Sequence, residues 1–500
     1  MRTLILAVLI SLTGAGLTQA QIDWPSYGGD AQRSGWEKSD TRITRDNVKD
    51  FELVLKRNFA YKRTGPRSLT PPVIVGLLIS YRGFKELAFV ADDTGTIWSV
   101  DVDLNRVFWK RQFDDKTKAR SACGVIASMP ALAPPVVFGR RSASGHRRQA
   151  IPGNGFGEVR PVFAVSGDGK LHKLNTSDGT DLSKPLDFLP AGIKTSPLTI
   201  HDGTIYASSA AGCGGAENGI WAIDLTVPDP HAVNFTWKGP SVNGIGGPAF
   251  GNDGTVYLQT GPNTIQSFTP NDLKPQDRLT LSDHPAPKTA SGFNTVTPVV
   301  FEFNGADLIV SSTSDGRLFI VDNKSFGGDG HKTPLFETPP LTAPGGGIWG
   351  GLSSWKDADG KLWLFAPIWG KLNPDLKTGR TNGTVVNGAI VAFTVEEHDG
   401  KPVLTPAWVS PDMHSPVPPV TTSGAVFTLS AGAYSSTGRA NKSSHATLFG
   451  LDAQTGEPLY SSGDQVTAPG ALTGLTVSNG RVYFATADGT LYAFGVHLEI

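Results

Sequence analysis

Eight times along the chain a turn is followed by two apolar positions one residue apart, and then in most copies by Asp or Asn. The copies read Gly95-Thr-Ile-Trp98-Ser-Val100-Asp101, Gly169-Lys-Leu-His172-Lys-Leu174-Asn175, Gly219-Ile-Trp221-Ala-Ile223-Asp224 and Gly316-Arg-Leu-Phe319-Ile-Val321-Asp322. Ala446-Thr-Leu-Phe449-Gly-Leu451-Asp452 and Gly489-Thr-Leu-Tyr492-Ala-Phe494 continue the series, and Thr264–Phe268 and Gly388–Phe393 are weaker copies. Alternation at period two predicts a half-buried strand. The spacing from Val100 to Phe494 averages about 56 residues, more than the ~40–50 of a four-stranded propeller blade, so the excess belongs to loops.

Each copy is preceded by a second apolar run, such as Leu87–Ala91, Thr204–Ser208, Thr255–Leu258 and Arg481–Ala485. Before that lies a small-residue segment with Pro: Ser128-Met-Pro-Ala131, Thr195-Ser-Pro-Leu198 and Thr297-Pro-Val-Val300. Small side chains suit strands that converge on an axis. An aromatic follows each of several copies (Trp109, Trp237, Phe336, Trp408, Tyr460), recurring at one phase as packing residues between blades do. The last copy ends at Ile500 without room for a fourth strand, while Phe51–Arg57 is an unmatched strand near the start. Joining the two would hide a sheet edge. The expectation is therefore an all-β, eight-bladed β-propeller of four-stranded antiparallel blades, its ring closed by an N-terminal outer strand.

Composition agrees with many short strands and turns: 59 Gly and 36 Pro in 500 residues, with 39% hydrophobic. A net charge of −1 gives no overall field for nucleic acid. The run Arg140-Arg141…His146-Arg147-Arg148 carries no interleaved aromatics and reads as a solvated loop rather than a polyanion site. Arg2, the apolar stretch Leu4–Leu12 and Thr18-Gln19-Ala20 predict a signal peptide over 1–20, hence a periplasmic or secreted protein. An N-terminal extension would follow over 21–50 and the propeller over 51–500. No later run has the length of a membrane span. Cys123 and Cys213 are the two cysteines; in an oxidising compartment they pair as one disulfide or stay as two buried thiols. Blade phase puts both on one face, in neighbouring blades. There is no Cys-x-x-Cys-His for attached haem.

Trp24-Pro-Ser-Tyr-Gly-Gly-Asp30, Arg33-Ser-Gly35, Ile43-Thr-Arg-Asp-Asn47-Val and the hairpin Ala453-Gln-Thr455-Gly456-Glu457 resemble the quinoprotein (pyrroloquinoline-quinone-like) propellers over residues 24–495. That resemblance implies a quinone near the axis, held with Ca²⁺ or a lanthanide, and oxidation of an alcohol-type substrate. Gly214-Gly-Ala-Glu217-Asn218-Gly219 resembles the family's metal-binding Glu segment, making Glu217 the implied metal ligand. Pro344-Gly-Gly-Gly347-Ile-Trp349-Gly350 resembles its cofactor segment with Ile348 in place of Asn, and implies that Trp349, with Trp369 in the matching hairpin, covers the cofactor. Asn294 and Asp315 share the neighbouring blade. A catalytic base has no counterpart among these motifs. The same fold also serves as a non-catalytic scaffold, so two readings stand: a quinone-dependent oxidoreductase acting on a small or polymeric substrate, or a scaffold binding a protein or polysaccharide on its loop face. The ten histidines show no Ser/His/Asp grouping in sequence.

Overall fold

A computed structural model describes residues 22–59, 69–80, 83–92, 94–113, 128–133, 160–193, 195–209, 217–240, 242, 244–281, 295–433 and 444–496. The signal peptide, the Arg140–Arg148 run, Asn294, Cys123 and Cys213 lie outside these residues. The fold is an all-β propeller of four-stranded antiparallel blades. Among the described residues the strands form eight sheets, numbered here in chain order by their spans: 73–112, 131–187, 199–237, 249–280, 299–337, 347–409, 420–461 and 476–495. Among the described residues only two single-turn 3₁₀ helices accompany them, and no helix is long and apolar enough to cross a membrane.

Within each sheet the repeated pattern falls on the third strand. In sheet 3, Thr204–Ser209 pairs with Asn218–Asp224, which pairs in turn with Ala232–Trp237. Contrary to the half-buried strands expected, the second and third strands are buried on both faces, because the sheets pack face to face. In Val256–Gly261, Val256 and Leu258 pack toward sheet 3 while Tyr257 packs toward sheet 5. Successive sheets share apolar clusters in this way, and one cluster holds Phe427 of sheet 7, Phe494 of sheet 8 and Val100 of sheet 1. Glu52–Asn58 pairs antiparallel with Thr490–Gly495, from Glu52↔Gly495 to Asn58↔Thr490.

Uniform four-stranded blades are corrected in two places. Sheet 7 gains Trp36–Glu37, parallel to Val420–Thr422. Sheet 6 gains Thr295–Thr297 beside Gly347–Gly351 and Arg380–Thr381 beside Lys401–Val409. The reason lies in the first strands, whose outer edges point inward with unpaired N–H groups that need acceptors. Residues 22–40 supply many of them. Ile22 O accepts from Ser478 Oγ of sheet 8 (2.6 Å), Trp24 exchanges two 3.0 Å bonds with Ile74 of sheet 1, and Pro25 O accepts from Leu132 N of sheet 2 (2.8 Å). Ala31, Gln32, Ser34 and Gly35 carbonyls then accept from Phe250, Val300, Ser354 and Thr421 of sheets 4 to 7 at 2.7–3.1 Å, and Asp40 returns to Gly480 N of sheet 8 (2.7 Å). The segment that the sequence assigns to an N-terminal extension runs across these inner strands.

Two aromatics of the outer phase act as staples between neighbouring blades. Trp109 Nε1 donates to Thr176 O of sheet 2 (2.8 Å), and Trp408 Nε1 donates to Ala453 O of sheet 7 (3.0 Å). Each ring lies against a glycine in the turn it reaches, Gly179 or Gly456, both at positive φ. Trp237 differs, donating to Pro240 O just beyond its own strand.

Candidate functional site

The chain enters each first strand on the face that carries the second-to-third-strand hairpins. Trp349 sits in the first strand of sheet 6 and Trp369 ends the second, in a ladder that runs Gly347↔Trp369 and Ile348↔Ile368. The two indoles stack on each other, centroids 4.9 Å apart and planes 23° from parallel. Trp369 is buried and donates from Nε1 to Pro416 O (2.8 Å). Trp349 is half-buried, and its Nε1 is enclosed with no partner. Gly350 allows the close approach to sheet 7: at φ +79°, a Cβ there would lie 2.8 Å from Pro418 Cγ.

Beside this pair lies a cavity of about 380 Å³, lined by Asp315, Pro340, Thr342, Pro344, Gly345, Gly346 and Asn373 among others. Asp315 accepts from Arg317 Nε (2.8 Å), and Asn373 Nδ2 donates to Pro340 O (2.8 Å). No lysine or arginine lines it.

Glu217 precedes the third strand of sheet 3 on the same face. Its side chain is 47% exposed and lies 4.0 Å from Lys238 Nζ, just beyond the fourth strand, so the carboxylate leans toward the outer edge of its sheet. Among the described residues no group of three His, Cys, Asp or Glu side chains is placed to hold a metal ion. A metal-bound, carboxylated tricyclic quinone calls for several convergent oxygen ligands, cations for its carboxylates and an open aromatic face. Here the implied ligand is paired with a lysine, the cavity has no cation, and the two tryptophans cover each other. The described residues do not fit the quinone.

At the opposite end the axis is filled by residues 22–40. Tyr27 is 7% exposed, with its ring where Gly246 carries no side chain (a Cβ would lie 2.6 Å from Tyr27 Cδ1). Arg33, 2% exposed, donates from Nε to Pro248 O (2.9 Å), from Nη1 to Tyr27 O (2.5 Å) and from Nη2 to Thr199 Oγ1. Burial pulls the guanidinium down to about 10 and pushes the Tyr27 phenol well up.

The structure corrects the reading that no Ser/His/Asp grouping exists. His172 Nδ1 lies 2.9 Å from Asp181 Oδ1, and its Nε2 lies 3.1 Å from Ser166 Oγ. The Ser166 hydroxyl, however, donates to Asp168 within its own turn, and Thr313 with Asp315 and Thr486 with Asp488 make the same bond in turns that lack the histidine. Its hydroxyl belongs to the turn. Phe113 covers the imidazole (4.3 Å) and Arg111 binds Asp181, so the group joins sheets 1 and 2.

No family model matches the chain, and no curated protein matches it. Solved structures do. It is similar to a europium-containing methanol dehydrogenase (10% identity, 95% of this chain and 98% of that one, TM-score 0.59). It is also similar to quinohemoprotein alcohol dehydrogenases from Pseudomonas putida HK5 (12%, 96% and 81%, TM-score 0.57) and Comamonas testosteroni (14%, 96% and 81%, TM-score 0.56). At these identities the likeness is one of fold, the propeller of the quinoprotein dehydrogenases.

Proposed function

We propose that this chain is an exported, non-catalytic propeller that binds polysaccharide on its hairpin face, at the cavity beside Thr342–Gly346 and the Trp349–Trp369 stack. One observation carries the reading: residues 22–40 fill the axis from the other end, leaving a hairpin face with a roomy, largely apolar cavity set with a few polar groups and, among the described residues, no group of side chains placed to hold a metal. A carboxylate, an amide and a hydroxyl set among proline rings suit sugar hydroxyls and the apolar faces of a pyranose. A protein partner is less favoured, because the large exposed apolar side chains among the described residues (Leu104, Leu182, Val227, Val386) are scattered over separate sheets.

The second reading is a quinone-dependent oxidoreductase acting on an alcohol-type substrate, with Glu217 on Ca²⁺ or a lanthanide and Trp349 and Trp369 over the quinone. The shared propeller and the unpartnered indole N–H of Trp349 favour it. In either reading the eight sheets make one ring of eight blades closed by Glu52–Asn58. Supporting this are the order in which residues 22–40 meet the sheets and the cluster joining sheets 7, 8 and 1. Residues 1–20 direct export, and Cys123 and Cys213 pair as a disulfide in the oxidising compartment.

The test is a pair of titrations on the purified mature protein. Binding to members of an oligosaccharide array, weakened by Asp315→Ala, is the expected result. Stoichiometric uptake of pyrroloquinoline quinone with Ca²⁺ or La³⁺, giving alcohol-dependent dye reduction, would replace this reading with the second.

A further inference from the structure

The axial filling by residues 22–40 contains a buried cation that makes no ion pair among the described residues. Arg33 is 2% exposed, yet among the described residues no carboxylate lies within 4.0 Å of its guanidinium. The nearby Asp30 is occupied elsewhere: its oxygens accept from Ser34 N (2.9 Å) and Ser34 Oγ (2.6 Å), and Lys38 Nζ lies 3.7 Å away. Three neutral acceptors meet the guanidinium, at Pro248 O, Tyr27 O and Thr199 Oγ1. A guanidinium carries five N–H donors, so two remain unmatched. A buried cation without an anion is costly, because neutral dipoles return only part of its lost hydration.

A second observation points the same way. Tyr27 Oη is buried without a partner, although the residue is 7% exposed. It sits where two glycines leave room, since a Cβ at Gly351 or Gly474 would lie 3.5 Å from Oη. Tyr27, Arg33, Gly351 and Gly474 together line an axial cavity of about 20 Å³. That is space for one water-sized species, which needs ~10–15 Å³. Pro418, Pro419 and Leu475 complete the wall, and no carboxylate lines it. A lone water would satisfy the phenol and leave the charge standing. A monatomic anion would do both, accepting from the phenol O–H and offsetting the guanidinium.

We propose that this cavity is a binding site for one halide ion, chloride in the native setting, held by Tyr27 Oη in the field of Arg33. The ion is a structural component of the axis, neutralising the segment that fills it, and it is independent of whatever the hairpin face binds.

The experiment uses the mature protein and bromide as the probe. Crystals grown in sodium bromide are expected to show one anomalous scatterer on the axis, in contact with Tyr27 Oη. Thermal melting at fixed ionic strength should rise with bromide or chloride and stay flat when gluconate, too large for the cavity, replaces them. Tyr27→Phe keeps the ring and removes the hydroxyl; it is expected to fold and to raise the apparent bromide dissociation constant about tenfold or more, as loss of a hydrogen bond to a charged group does. A non-scattering water in that position, or equal melting in bromide and gluconate for the wild type, overturns the proposal. Should Tyr27→Phe fail to fold, the anomalous map of the wild type decides alone.

Discussion

Replacing Gly456 by Ala tests the tryptophan staple between sheets 6 and 7. The glycine has φ +70°, and an added Cβ would lie 2.3 Å from Trp408 Cε3 and 2.7 Å from Cδ2. Two costs follow. Holding an L-residue in the left-handed region costs about 1–2 kcal/mol. The ring must also retreat by roughly an ångström to reach ordinary contact, which breaks the Trp408 Nε1 bond to Ala453 O. A buried N–H left unpartnered costs about 1–3 kcal/mol. Gly456→Ala should therefore destabilise by about 2–5 kcal/mol. Gly400→Ala isolates the first cost, since Gly400 has φ +74° and an added Cβ there meets nothing within 4 Å; it should lose about 1–2 kcal/mol. Urea unfolding followed by tryptophan emission measures both. In a Trp408→Ala background the Gly456 substitution should fall toward the cost seen at Gly400, because the ring is gone and only Asn382 Nδ2, 2.9 Å from the added Cβ, remains in the way. Equal losses at Gly456 and Gly400 in the wild-type background would refute the staple.

Leu55→Ala, in the strand beside Thr490–Gly495 and 1% exposed, should cost about 2–5 kcal/mol; hydrogen exchange should show the extra opening concentrated in residues 476–495, and uniform loss of protection would count against that strand as the fastening of sheet 8. Glu86 is buried where sheets 8 and 1 meet, accepting from Tyr483 Oη (2.6 Å) and Arg481 Nη1 (2.9 Å), and burial raises its carboxyl to about 7. A carboxyl raised in the folded state binds protons more tightly than in the unfolded one, so its contribution is full below its ordinary value near 4.5 and is lost as pH climbs through about 7. Glu86→Gln should flatten stability against pH across that window, and an unchanged slope would show that the proton is held elsewhere.

How much of this was legible in the sequence depends on what each residue answers to. The third strands were readable because the same turn and apolar positions recur in every sheet, although burial on both faces makes them continuous apolar runs rather than half-buried strands: Leu318, Phe319, Ile320 and Val321 are all buried, divided between clusters on opposite sides of one sheet. The outer aromatics were readable because they recur at one phase, although only Trp109 and Trp408 prove to be staples and Trp237 turns back on its own loop. Residues 22–40 left no such trace. Most of their contacts run through main-chain carbonyls of Pro25, Ala31, Gln32, Ser34 and Gly35, which any side chain could carry, while the side chains of Arg33 and Asp40 reach sheets that no repeat could foretell.

The candidate site was harder still, because its residues belong to single blades and share no period. Trp349 and Trp369 are brought together by an antiparallel ladder that the pattern could suggest, but their mutual stacking, which leaves no slot between them, is a property of distance alone. Glu217 stands in a glycine-rich hairpin that promised a ligand, and its carboxylate leans toward Lys238, 21 residues on and just beyond the neighbouring strand. His172 shows the converse. Its partners Ser166 and Asp181 lie six residues before and nine after, spacings that mean nothing on one strand and become contact only when the turns on either side of the third strand of sheet 2 fold back beside the ring. A repeat fixes where a strand lies because every blade obeys the same packing; what a loop residue touches is decided once, in one place, and has no second copy from which to be read.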